Sequence, residues 1–125
     1  MPTPEQVRAI PERYVDTFQR KDREAWLELF APDAVHYDPV GTAPNLGREA
    51  VAAFWDRTFS MLEDGKFDIH HVFVCGDEAA TVFTFTGTTT GGGITFDGVE
   101  IFKVNDEGRI AEMRAYWDTI KPLEG

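Results

Sequence analysis

The sequence predicts an α+β domain, with three helices in the first half of the chain and an antiparallel meander of long strands in the second. Apolar residues recur at helical spacing as far as Leu62, and from Lys66 onward the pattern switches to alternation with period two. The alternating runs, near 66–75, 78–90, 93–105 and 109–119, are separated by turn clusters at Cys75-Gly76-Asp77, Gly91-Gly92-Gly93 and Asn105-Asp106-Glu107-Gly108. With 125 residues, 42% of them hydrophobic and 13% aromatic, the chain suffices for one core and needs no second domain. No internal repeat, low-complexity segment or linker interrupts it.

The first helix is expected to start at Thr3-Pro4-Glu5-Gln6, with Thr3 as N-cap, Pro4 at the first helical position and Gln6 closing a capping box. Val7, Ile10, Tyr14, Val15 and Phe18 then form one stripe, while Pro11 should kink the helix or shift its start. Tyr14 therefore faces the core, where its hydroxyl needs a partner, structural or functional. Asp22 caps a short second helix with Trp26, Leu27, Leu29 and Phe30 turned inward. After a loop bracketed by Pro44 and Gly47, Arg48 to Met61 reads as a third helix burying Val51, Phe54, Trp55, Phe59 and Leu62, ended by Gly65.

Between the second and third helices lies Val35-His36-Tyr37-Asp38-Pro39-Val40-Gly41, a β-like run that stops at an acid. Pro39 cannot donate to a sheet ladder and Gly41 permits a tight turn, so Asp38 sits where a strand ends. It is either a turn former or a working carboxylate.

The third alternating run holds a second carboxyl in an unusual place. Ile94, Phe96, Gly98, Glu100, Phe102 and Val104 share one face, so Glu100 lies on an otherwise apolar stripe. An ionised carboxylate there must pair with a cation, Arg114 being the candidate, or else stay protonated and act as a hydrogen-bond donor. An edge position at a mouth is the third possibility. Ala111, Met113, Ala115 and Trp117 in the last run, with Phe83 and Phe85 one strand over, supply a flat apolar wall. A sheet curled around helices with such walls suits a small-molecule cavity penetrated by a few polar groups.

The charge balance excludes several partners. A formal net charge of -10 repels phosphate backbones and anionic lipid, which argues against nucleic acid and membrane surfaces and for a neutral ligand. Cys75 is alone, and no basic, apolar leader or membrane-length apolar run is present, so a cytoplasmic protein is expected. His70 and His71 are adjacent on a strand and should point to opposite faces, and His36 with Asp38 makes only two ligands, so no metal site is expected. Thr88-Thr89-Thr90-Gly91-Gly92-Gly93 lies between strands and reads as a hairpin turn. Neither Ser60 nor Cys75 has an identifiable base.

Arg13-Tyr14-Val15, Leu29-Phe30-Ala31-Pro32-Asp33-Ala34 leading into Asp38-Pro39-Val40-Gly41, Gly47-Arg48-Glu49-Ala50, Phe54 and Met113-Arg114-Ala115 together resemble the bacterial Δ5-3-ketosteroid isomerases. The resemblance spans nearly the whole chain. It implies a cone-shaped α+β barrel, a strongly curved antiparallel sheet wrapped on three helices in the manner of nuclear transport factor 2, and a homodimer formed through the outer sheet surface.

The resemblance further implies that Asp38 is the general base, moving a proton from C4 to C6 of a 3-oxo-Δ5-steroid, with Tyr14 donating a hydrogen bond to the C3 oxygen. The acid that completes the oxyanion hole aligns with Glu100, one methylene longer than the family's aspartate. Trp117, Phe54, Phe83 and Met113 would line the steroid site, together with Trp55, which stands with Phe30 where some members carry tyrosines. No cofactor is needed for this chemistry. Two alternatives remain open at the level of sequence: another reaction in the same cone, such as epoxide hydrolysis, dehydration or cyclisation, and a non-catalytic protein that binds steroids or other hydrophobic ligands.

Overall fold

A computed structural model describes residues 1–123. Ten elements follow one another: α1 (Pro4–Gln19), α2 (Arg23–Glu28), β1 (Phe30–Tyr37), β2 (Asn45–Leu46), α3 (Gly47–Met61), β3 (Leu62–Cys75), β4 (Glu78–Thr89), β5 (Gly92–Val104), β6 (Ile110–Tyr116) and β7 (Lys121–Pro122). The strands form one unclosed sheet in the order β2-β1-β6-β5-β4-β3, with β7 added to β5. The helices cover one face, α1 packing on β3, β4 and β5, and α3 on β1, β2 and β3. The α+β class read from the sequence holds.

The start of α1 is fixed by the expected capping box: Gln6 N donates to Thr3 Oγ1 at 3.1 Å, and Thr3 N donates to Gln6 Oε1 at 2.8 Å. Contrary to expectation, Pro11 does not delay the helix, which runs unbroken from Pro4 to Gln19 with Pro11 buried inside it. The cap anchors the first turn, and Pro11 forgoes a single backbone hydrogen bond, an amount that the apolar stripe Val7, Ile10, Tyr14 and Phe18 offsets by burial at ~1.5–3 kcal/mol per large side chain.

Four further expectations are corrected. Phe30 is the first residue of β1, not part of the second helix. β1 pairs parallel with β6, through His36↔Met113 and Tyr37↔Arg114, so one edge of the sheet departs from the antiparallel meander. Gly65 does not end α3: the helix stops at Met61 and β3 begins at Leu62 without a loop. Gly65 instead faces Gly87 across β3 and β4, and a Cβ on either would come within 2.8 Å of the Phe85 ring. The two glycines give that ring its room. Finally, a bulge between Ile69 and His71 puts His70 and His71 on the same outer face, where His70 Nε2 bonds Thr84 Oγ1 at 2.8 Å and His71 stacks on Phe73.

Candidate active site

β1 delivers Asp38 to the edge of the helix-covered face. Pairing with β6 ends at Tyr37, Val40 N then donates to Ala115 O at 2.8 Å, and Gly41 turns the chain with a φ of +102° that only glycine adopts freely. Arg48, at the start of α3, donates to the Phe30 carbonyl and ties that helix to the beginning of β1. The Asp38 carboxyl is thereby held at the rim of a pocket with a volume of about 210 Å³.

The pocket is almost wholly apolar. Phe54, Thr58 and Met61 reach it from successive turns of α3, Tyr14 and Phe18 from α1, and Leu62, Phe67, Phe83, Phe85, Ile94 and Phe96 from the sheet. Gly98, opposite Phe83, leaves space for that ring, because a Cβ there would stand 2.9 Å from Phe83 Cζ and 2.6 Å from the Tyr116 carbonyl. Besides two threonine hydroxyls, the polar side chains that enter are Tyr14, Asp38 and Glu100, with the indole of Trp117.

Those groups differ in what surrounds them. Trp117 Nε1 donates to Asp38 Oδ1 at 2.8 Å, and the indole leans on Phe96 with ring centres 5.0 Å apart. Burial pushes the Asp38 carboxyl up to about 6, against the pull of that hydrogen bond. Glu100 is 3% exposed and flanked in register by Thr81 on β4 and Ala115 on β6. Its carboxyl is driven well above the usual carboxylate range, first by burial and then by the charge of Asp38. Arg114 provides no cation for it. That side chain lies on the other face, over the rings of Tyr37 and Tyr116.

Tyr14 is 1% exposed and wedged among Phe18, Trp26, Phe30, Phe67 and Phe102. Burial raises its hydroxyl well above the ordinary phenol value, and the carboxyls of Glu100 and Asp38 raise it further. The Trp26 indole N–H pulls weakly the other way without reaching hydrogen-bond geometry. The phenol therefore stays protonated as a donor.

The structure brings Asp38, Tyr14, Glu100, Phe54, Phe83 and Trp117 to one pocket. Two of the proposed walls lie elsewhere. Trp55 points away from the pocket into the aromatic core, against Phe18, Trp26 and Phe59, and Met113 is fully buried on β6 between His36 and Phe102. Both are displaced for a geometric reason: on α3 the pocket-facing stripe is Phe54, Thr58 and Met61, which leaves Trp55 a helical step of 100° away, and Met113 lies two residues inward of Ala115, where the helices already cover the sheet. Sequence reasoning missed Thr58 and Met61, although their spacing of four and seven from Phe54 carries the signal. Trp26 turns inward as expected, but its place behind Tyr14 is a pairing between two helices for which a single sequence holds no signal.

Comparison with known proteins agrees with this architecture. The SnoaL-like domain family matches residues 12–113. A steroid Δ-isomerase of Nocardioides simplex is 29% identical over 114 residues, covering 90% of this chain and 89% of that protein. Among solved structures, a Δ5-3-ketosteroid isomerase from a Mycobacterium species superposes with a TM-score of 0.83 at 29% identity, over 93% of this chain and 98% of its own. RV0760c from Mycobacterium tuberculosis in complex with estradiol-17β-hemisuccinate gives 0.83 at 29% identity, over 90% and 94%. An epoxide hydrolase of the LEH-like type from M. tuberculosis gives 0.79 at 25% identity, over 93% and 84%.

Proposed function

The chain belongs to the SnoaL-like family, and within it we propose that this member is a cofactor-independent steroid isomerase that moves the C5–C6 double bond of a 3-oxo-Δ5-steroid to C4–C5. The observation that carries the reading is the unequal pair of carboxyls in one apolar pocket, Asp38 with a hydrogen-bond donor on it and Glu100 without. Asp38 ionises at neutral pH and removes a proton from C4. The electron pair of that C–H bond moves into the dienolate, and negative charge builds on the C3 oxygen. Tyr14 and the neutral Glu100 donate hydrogen bonds to that oxygen, and Asp38 then returns the proton to C6. The apolar walls suit a fused hydrocarbon ring system.

The test is absorbance at the conjugated-enone band after protein is added to 5-androstene-3,17-dione, alongside Asp38→Asn. A fast rise that the variant loses supports the isomerase. No rise in the unmodified protein, with the steroid still raising its melting temperature, would favour the second reading, a steroid-binding protein without turnover, for which the estradiol ester bound to RV0760c is the motivating observation. Epoxide hydrolysis would require a positioned water, and the pocket offers Asp38, Glu100 and two threonines as its possible holders.

A cytoplasmic homodimer completes the proposal. No helix among the described residues is long and apolar enough to cross a membrane. Phe73 and Tyr116 are exposed on the outer face of the sheet, where the second copy would sit, and sedimentation equilibrium checks the association.

A further inference from the structure

Among the described residues, His36 is the buried titratable group beside the pocket that the isomerase mechanism leaves unused. It is fully buried on β1, enclosed by the rings of Trp26, Phe30 and Phe54, the last with ring centres 4.6 Å away. Its Nδ1 lies 3.1 Å from Asn45 Nδ2. Its Nε2 has no hydrogen-bond partner among the described residues and stands 3.9 Å from Asp38 Oδ2, the carboxylate oxygen that Trp117 does not hold. Among the described residues, Asp38 is the ionisable group that faces the ring directly. Arg57 lies behind Asn45, its Nη2 3.4 Å from Asn45 Oδ1.

That last contact fixes the chemistry. A guanidinium only donates, so the Asn45 atom facing Arg57 is the carbonyl oxygen, and the atom facing His36 is the amide nitrogen. An amide NH2 also only donates, so His36 Nδ1 must be the accepting nitrogen. A neutral imidazole with an unprotonated Nδ1 carries its hydrogen on Nε2, pointing at Asp38. Burial holds the ring neutral by pushing its pKa down to about 4.

We propose that Asn45 locks His36 as the Nε2–H tautomer, making it a positioning residue that can donate to Asp38 but cannot accept the proton that Asp38 removes. The inference rests on the isomerase reading for its catalytic meaning. When Asp38 Oδ2 takes a proton from C4, the nearest nitrogen behind it already carries a hydrogen, so the carboxyl has no side-chain acceptor on that side. An N–H facing the newly formed acid also disfavours turning its O–H backward, and the hydrogen is kept toward the ligand. The proton therefore stays on Asp38 until it is delivered to C6.

Two readouts on wild type and Asn45→Asp test this, with Asn45→Ala as the variant that frees the ring without reversing it. In 15N-histidine-labelled protein without ligand, His36 shows the hydrogen on Nε2, and in Asn45→Asp it moves to Nδ1, because a carboxylate accepts where the amide donated. With a 4-deuterated 5-ene-3-oxosteroid in ordinary water, wild type carries most of the label to C6; in Asn45→Asp the buried Nε2 lone pair takes the deuteron from Asp38 while the hydrogen on Nδ1 passes to the part-buried carboxylate at position 45, and most of the label is lost to solvent. Wild-type His36 with its hydrogen on Nδ1 overturns the lock outright. Equal label retention in wild type and in an Asn45→Asp protein whose tautomer has reversed overturns its role in proton retention. A wild type that does not isomerise the steroid overturns the isomerase reading instead, and the ring's 15N spectrum then decides the lock alone.

Discussion

Asp38 and Glu100 are carboxyls of the same pocket, yet their surroundings treat them in opposite ways. Asp38 retains 13% side-chain exposure and receives an indole N–H, whereas Glu100 is nearly sealed between a threonine and an alanine. Both carboxyls are pushed up by burial, but only Asp38 has something to hold its charge. On the proposed isomerase reading the difference suits the two roles: a group that must ionise needs a donor, and a group that must donate needs to be denied one.

Removing the charge from one side breaks the comparison most severely. Asp38→Asn should lower turnover by about 10²–10⁴-fold or more, since a positioned base contributes on that order. A folded variant with near-normal turnover would end the assignment. The other side should cost less. Glu100→Ala is expected to lose about 10²–10³-fold, the typical effect of one oxyanion donor, and Glu100→Gln less, because an amide still donates. Equal losses in the two would remove Glu100 from the donor role.

The same asymmetry should appear in stability. With its pKa raised from 3.8 to about 6, Asp38 binds its proton more tightly in the folded protein than in the unfolded chain. Below 3.8 both states are protonated and the group is neutral to folding. As pH rises toward 6 the unfolded chain ionises first, stability falls, and above 6 the whole penalty stands. Asp38→Asn should therefore stabilise the protein at pH 7 by on the order of 2–3 kcal/mol, a gain that disappears in urea titrations below pH 4. An unchanged midpoint at pH 7 would mean that the carboxylate is better solvated than its burial implies.

The finest test shifts the comparison without breaking it. kcat/KM should decline as pH falls below about 6, following the ionisation of Asp38. Trp117→Phe keeps the wall and removes the N–H, so that decline should begin at higher pH, by about one unit, for the loss of one hydrogen bond to a charged group. A profile that does not move would assign Trp117 to the wall alone.

How much of this was legible in the sequence depended on whether a residue's role is local. The capping box at Thr3 and Gln6, the switch from helical to alternating period, and the placement of Glu100 on an apolar face all follow from near neighbours. The resemblance to the isomerases singled out Tyr14 and Asp38 as well. The failures lie where distant backbone decides: Gly65 looked like a helix stop and is instead a clearance for Phe85, Trp55 has the right chemistry on the wrong side of α3, and Met113 lies on the right face of β6 but too far along it. The parallel pairing of β1 with β6 has no local signature either, and neither does the facing of Asn45 and His36 across β1 and β2.

That parallel pairing carries a consequence for how the protein comes into being. Asp38 meets Trp117 across 79 residues of chain, and the turn that holds it is fastened to Ala115. A chain leaving the ribosome has Tyr14 and Asp38 early, but Asp38 acquires its companion only when the last long strand docks, and contacts so far apart in sequence form late. A partly folded form in which the end of β6 has not docked thus lacks the Asp38–Trp117 pair, and the emission of Trp117 should mark the moment at which it forms.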